Sequence, residues 1–179
     1  MKTTYSNLQQ EISPDVYYKA ATRMVANANE FYVAAKTPTL LIFQEQKGLW
    51  RKKYTHKAMN KIFSGLKTVY LSSLPETKQM LLTMDKKTLE KTLQLWEKYL
   101  SLPNFRMGFI NNSNFKSMIM DENFAVYAIK DKETGKSVGI RVEENLIASK
   151  QFKKLEKEAD YDVKKIISEL KGQSGRKKF

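Results

Sequence analysis

Apolar side chains recur every three or four positions in four stretches of the chain, which is the spacing of one face of an α-helix. The first stretch begins at Ser13-Pro14-Asp15, a typical helix start, and continues to Ala35. The second covers residues 49–74, and the third extends from residue 85 to residue 103 with Asp85 as its cap. The fourth covers residues 145–171 and is expected to break near Asp160. These patterns predict about five helices.

Strict alternation of apolar and polar positions, the pattern of a half-buried strand, occurs in one place. Val138, Ile140 and Val142 alternate after a turn-like segment at residues 131–135, which predicts an antiparallel β-hairpin near residues 123–143. Residues 104–123 are rich in Asn, Phe and Met, show no clear period and are predicted to be irregular. The apolar run Leu40-Leu41-Ile42-Phe43 fits either a buried helical turn or a short strand. The predicted fold class is therefore α+β and mainly helical, with about five helices and one hairpin.

The C-terminal part differs from the rest of the chain in its balance of apolar and charged positions. We predict a helical core with the hairpin over residues 1–148, and a C-terminal helix with a basic tail over residues 149–179. Residues 145–171 have few apolar positions, which favours an arm that orders on a partner rather than part of the core. Trp96 shares its helix face with Leu89 and Leu93 and is expected to be buried between the 13–35 and 49–74 helices.

The composition excludes several kinds of active site. The 179 residues include no Cys and one His, which excludes a disulfide scaffold, a cysteine nucleophile and a multi-histidine metal site. Close acidic pairs such as Asp131 and Glu133 remain, and we expect these to be caps or solvated charges. We therefore predict a protein that is not an enzyme, with no cofactor, metal or small-molecule substrate. The N-terminus lacks a signal-peptide core and no apolar run could span a membrane, so we expect a cytoplasmic location or one within a nucleoprotein particle, without secretion.

The net charge of +13 points to an anionic partner. Residues 49–74 hold six basic residues and no acidic one, and residues 172–179 hold three basic residues and no acidic one. The basic residues are 27 Lys and 5 Arg, and lysine favours contact with the phosphate backbone over readout of base edges. An AT-rich genome would also favour lysine, but it would not produce the excess over acids.

The 49–74 stretch combines cations with aromatic side chains. Lys53, Lys57 and Lys61 recur every four positions and form one ridge on a helix. Each pair of like charges at this spacing destabilises the helix by about 0.2–0.5 kcal/mol. Bases stack on aromatic rings while phosphates pair with cations, so this mixture favours a nucleic-acid surface. The alternatives are a solvated helix face with Trp50 and Tyr54 in the core, and a basic helix lying on an anionic membrane. The candidate nucleic-acid-binding residues are Trp50, Arg51, Lys52, Lys53, Tyr54, Lys57, Lys61, Arg176, Lys177 and Lys178.

These features favour a non-enzymatic basic protein that binds the DNA or RNA backbone within a large nucleoprotein assembly, such as a virion, a ribosome-like particle or a nucleoid complex. The alternative is a structural adaptor or ring-forming connector of a phage-like particle, which would contact neighbouring protein subunits. A small metal-dependent hydrolase acting on nucleic acid is a more distant third possibility.

Overall fold

The computed structural model describes residues 15–43, 48–130, 133 and 137–174. Within these residues a six-stranded mixed sheet is flanked by six α-helices. In chain order the elements are α1 (Val16–Asn27), β1 (Glu30–Ala35), a 3-10 turn (Thr39–Leu41), α2 (Leu49–Phe63), β2 (Lys67–Ser73), α3 (Leu74–Leu82), α4 (Lys86–Leu100), β3 (Phe105–Ile110), β4 (Met118–Met120), β5 (Phe124–Lys130), β6 (Ser137–Glu144), α5 (Asn145–Glu158) and α6 (Val163–Ser174).

The sheet joins a parallel half to an antiparallel half. Its strand order is β3-β2-β1-β4-β5-β6, in which β1, β2 and β3 are parallel and β4, β5 and β6 are antiparallel. Strand β1 lies at the seam, pairing with β2 on one side and with β4 on the other. The larger core lies on the face covered by α1, α2, α4 and α6, and the smaller core lies under α5 on the opposite face.

The predicted fold class is wrong, because four strands lie in stretches that were expected to be helical or irregular. The helix predicted over 13–35 ends at Asn27, and the last part of that stretch is β1. The helix predicted over 49–74 ends at Phe63, where Gly65 has a φ of 102° that terminates the helix, and β2 follows. The segment predicted to be irregular, 104–123, contains β3 and β4. The protein is an α/β fold.

The sequence pattern did not predict these strands because of where they lie in the sheet and in the chain. Six of the seven residues of β2 are buried, since this central parallel strand is covered on both faces. A strand that is buried on both faces gives a continuous apolar run, which alternation cannot detect. In β1, Phe31 and Ala35 are four residues apart, so the same positions also continue the helical spacing of α1.

Three local predictions agree with the structure. Asp85 caps α4, because its Oδ1 accepts a hydrogen bond from the backbone N–H of Thr88 at 3.0 Å. Strands β5 and β6 pair in antiparallel fashion where the hairpin was predicted, although they form one side of a larger sheet. The C-terminal helical stretch breaks where expected, since α5 ends at Glu158 and α6 begins at Val163.

Helix α6 is part of the core, so the expectation that residues 145–171 form an arm outside the core is wrong for this helix. Four apolar residues of α6 are buried in the larger core, because they recur at helical spacing on one side of the helix: Val163, Ile166, Ile167 and Leu170. The segment between α5 and α6 also pairs with the sheet, where Asp160 and Phe109 exchange two backbone hydrogen bonds of 2.8 Å. The division predicted after residue 148 falls within α5.

Trp96 is fully buried, as predicted, but its neighbours differ from those expected. Its indole Nε1 donates to the carbonyl oxygen of Leu41 at 2.9 Å, and its ring centroid lies 5.6 Å from that of Phe109. The side chain therefore connects α4 to the 3-10 turn and to β3, rather than filling a space between α1 and α2.

Candidate nucleic-acid interface

The basic ridge of the sequence lies on helix α2, which buries one narrow stripe. Tyr54, Ala58 and Ile62, each four residues after the last, face the larger core. Gly48, with a φ of 92°, precedes the helix. Most of the helix surface is consequently directed away from the core, and the cations lie on that surface.

An open cleft of about 640 Å³ lies between α1 and α2. Cationic side chains come from both helices, and small or polar side chains fill the space between them. Among the lining residues that the structure describes, none is acidic. The lining residues are Thr22, Arg23, Ala26, Lys52, Lys53, His56, Lys57 and Asn60.

Trp50 holds two lysine amines at one end of this surface. The Nζ of Lys53 lies 4.6 Å from the centroid of the Trp50 ring, and the Nζ of Lys19 lies 5.4 Å from it. Both distances are within the range of a cation–π interaction. The half-buried ring therefore joins a cation of α1 to a cation of α2.

The other predicted residues of α2 have different surroundings. Lys52, Lys53 and Lys57 line the cleft and are exposed. Lys61 is half-buried and does not line it. Arg51 is half-buried with its guanidinium carbon 5.9 Å from the centroid of the Tyr18 ring.

Tyr54 does not belong to the surface that the sequence predicted. Only 6% of this residue is exposed, and its ring centroid lies 5.9 Å from that of Tyr18. Burial raises the pKa of the Tyr54 hydroxyl well above its usual value. The ring is a core element and is not accessible to a base. The three predicted C-terminal residues, Arg176, Lys177 and Lys178, lie outside the described residues.

Sequence reasoning missed the contribution of α1. Lys19 and Arg23 are four residues apart, the same spacing as Lys53 and Lys57, and Arg23 lines the cleft directly. The sequence identified the apolar face of α1, and it could also have shown that these two cations lie beside that face. What the sequence did not show is that α1 packs against α2.

Several cations elsewhere on the described surface pair with carboxylates. Three such pairs join different elements of the fold: Lys67 with Glu30 at 2.6 Å, Arg106 with Glu156 at 3.4 Å, and Lys171 with Glu97 at 2.7 Å. A second depression of about 630 Å³ near the start of β1 and β2 mixes Lys67, Arg106 and Lys153 with three glutamates. Its mixed charge suits a polyanion poorly, which distinguishes it from the α1–α2 cleft.

The described residues contain no group of three or more His, Asp or Glu side chains arranged to hold a metal ion. None of the helices in the described part of the chain is both long and apolar enough to cross a membrane.

Comparison with solved structures supports the fold. No protein-family model and no curated protein sequence matches the chain. A solved structure of TrmBL2, an archaeal chromatin protein described as showing a novel mode of DNA binding, is similar with a TM-score of 0.55 and 10% sequence identity. The match covers 84% of this chain and 52% of TrmBL2, so the chain corresponds to about half of that protein. At this identity the likeness concerns the fold alone.

Proposed function

We propose that this protein binds the phosphate backbone of nucleic acid through the cleft between α1 and α2, as a non-enzymatic component of a nucleoprotein assembly. The observation that carries the proposal is the convergence of Arg23, Lys52, Lys53 and Lys57 on one open cleft with no acidic residue among its described lining. Such an assembly would lie in the cytoplasm or within a particle.

The side chains in the cleft favour contact with the backbone over base readout. Three of its four fixed cations are lysines, which interact with phosphate as point charges and lack the planar fork that recognises a guanine edge. The Trp50 ring contacts two amines and Tyr54 is buried, so neither provides an open stacking platform in this structure. Affinity would come mainly from the release of counterions.

Two further observations support nucleic acid as the anion. The net charge of +13 is large for a chain of 179 residues and would attract a polyanion over a long range at low salt. TrmBL2, whose fold is similar, is a chromatin protein that binds DNA. This likeness makes duplex DNA the first ligand to test, with RNA as the comparison.

The experiment is a salt titration of binding to a fluorescent DNA duplex of about 20 base pairs, followed by anisotropy. The cleft variant replaces Lys52, Lys53 and Lys57 with Gln. A matched control variant replaces three exposed lysines of α4 with Gln, namely Lys86, Lys87 and Lys98. The slope of log K against log salt is negative, and each lost phosphate contact reduces its magnitude by about 0.9. The magnitude for the cleft variant should therefore be about 2.7 smaller than for the wild type.

The control variant removes the same charge and should keep a slope close to that of the wild type. A folded cleft variant with the wild-type slope would show that the cleft does not contact DNA. Equal loss in both variants would show that binding depends on net charge alone, without a defined site.

A further inference from the structure

The two edges of the sheet differ in whether they are covered. At the β3 edge, Phe109 and Asp160 exchange backbone hydrogen bonds of 2.8 Å, so the chain itself blocks that side. At the other edge, none of the described residues pairs with the outer side of β6. This edge is therefore open within the described part of the chain.

The backbone groups on the outer side of β6 follow from its pairing with β5. The N–H of Asn145 donates to the carbonyl oxygen of Asn123 at 2.9 Å, so residue 145 and alternate residues before it direct their backbone groups toward β5. Ile140, Val142 and Glu144 consequently direct their N–H and C=O groups outward. Residues 138–144 contain no Pro and no Lys, and the charged residues they do contain are Arg141, Glu143 and Glu144.

We propose that β6 pairs in antiparallel fashion with β6 of a second copy, with the two-fold axis at Val142. In this register, the two Val142 residues exchange their backbone hydrogen bonds, and Ile140 of each copy pairs with Glu144 of the other. The six strands of each copy would then form one continuous sheet. This inference does not depend on the proposed function.

Charge favours this register over the two neighbouring ones. With the axis at Val142, Arg141 of one copy lies directly opposite Glu143 of the other, on the same face, and this pairing occurs twice. An axis at residue 141 would place the two Arg141 side chains opposite each other. An axis at residue 143 would place the two Glu143 side chains opposite each other. Opposite charges across a strand pair stabilise it and like charges destabilise it. Arg141 and Glu143 already lie together within one copy, 3.0 Å apart, so both side chains are on the required face.

The same register brings exposed apolar side chains close to the second copy. Leu146 is 71% exposed and Ile147 is 60% exposed, and both lie in the first turn of α5 immediately after β6. Because residue 144 pairs with residue 140 of the second copy, this turn lies beside the N-terminal end of the second copy's β6. The two-fold axis is perpendicular to the sheet, so both α1 helices lie on the same face of the dimer.

The first test is the mass of the full chain measured by sedimentation over a concentration series. The wild type should be a dimer, and Arg141→Glu should raise the dimer dissociation constant about tenfold or more, because it places two like-charge pairs across the interface. The double variant Arg141→Glu/Glu143→Arg should restore dimerisation, since the charges are exchanged but remain complementary. A monomeric wild type, or a dimer unaffected by Arg141→Glu, would overturn the proposal.

The second test uses the absence of cysteine from the chain, so that a single introduced Cys can form a disulfide only with another copy. Two Val142→Cys residues would have Cα atoms about 5.5 Å apart, within the range of a disulfide. Two Glu144→Cys residues would be separated by four residue steps, or about 13 Å. Under mild oxidation, the first variant should form covalent dimers much faster than the second. Equal rates, or no cross-linking of Val142→Cys in a dimeric sample, would overturn the register.

Discussion

Replacement of Trp96 by Phe should destabilise the protein through one lost hydrogen bond. Phe keeps an aromatic ring against Phe109 but has no donor to replace the indole Nε1, which lies 2.9 Å from the Leu41 carbonyl oxygen. Leu41 is fully buried, so its carbonyl would lose its partner in a place where water does not replace it. An unsatisfied buried polar group costs about 1–3 kcal/mol.

Trp96→Ala provides the upper limit, because it removes the ring as well as the donor. A Trp→Ala change in a core costs about 3–5 kcal/mol, which is a large part of the about 5–15 kcal/mol by which a domain is usually stable. The Phe variant is the more informative of the two, since it should remain folded and measurable. For a chain of this size its melting temperature should fall by about 2–12 °C.

The assay is urea unfolding followed by far-ultraviolet circular dichroism, with Trp50→Phe as the control. Trp50 is the other tryptophan of the chain and is half-buried, so its replacement should cost less than about 1 kcal/mol. The slope m should be unchanged in both variants if they unfold in two states. A cost below about 0.5 kcal/mol for Trp96→Phe would refute the assigned role of the hydrogen bond.

Two further predictions concern the sheet and a buried carboxyl group. Gly108→Ala should cost about 1–3 kcal/mol, because its Cβ would lie 2.9 Å from Cε1 of the Tyr161 ring, and an unchanged melting temperature would contradict this close packing. Burial raises the pKa of Asp121, so the folded state holds this proton more tightly than the unfolded chain, and its stabilising contribution is lost as pH rises through the interval between the two pKa values. Asp121→Asn should therefore gain stability relative to the wild type as pH rises above 3.8, the ordinary pKa of an aspartate, and a difference in urea midpoint that does not change with pH would contradict the sign.

The sequence predicted those elements whose local signals agree with their surroundings. Helix α4 has an Asp85 cap and a regular apolar face. Strand β6 has alternating apolar and polar residues because one of its faces packs under α1 and the other face is less completely covered. For β2 the signals were present but were outweighed by the helical spacing before it. Gly65 followed by Thr68-Val69-Tyr70 marks a helix end and a β-branched, aromatic strand.

The candidate site could be predicted only in part, because it depends on contact between two helices. The ridge of Lys53 and Lys57 is a property of one helix and follows from spacing. The contribution of Arg23 depends on the packing of α1 beside α2, and the burial of Tyr54 depends on which side of α2 meets the core. The spacing of residues within a single segment shows neither the packing of two helices nor the side that meets the core. Trp50 and Tyr54 were therefore both predicted to lie at the surface, although Tyr54 is a core residue.

The most direct test of the central claim is the reactivity of individual lysines toward an acetylating reagent, measured by mass spectrometry with and without duplex DNA. Lys53 and Lys57 in the cleft should lose reactivity several-fold when DNA is bound at low salt, because their amines would lie against phosphates. Lys87 and Lys98 on α4, which are also exposed, should keep their reactivity and serve as the reference. Protection of the α4 lysines to the same extent, or full reactivity of Lys53 and Lys57 in the complex, would contradict the proposal that the cleft is the nucleic-acid site.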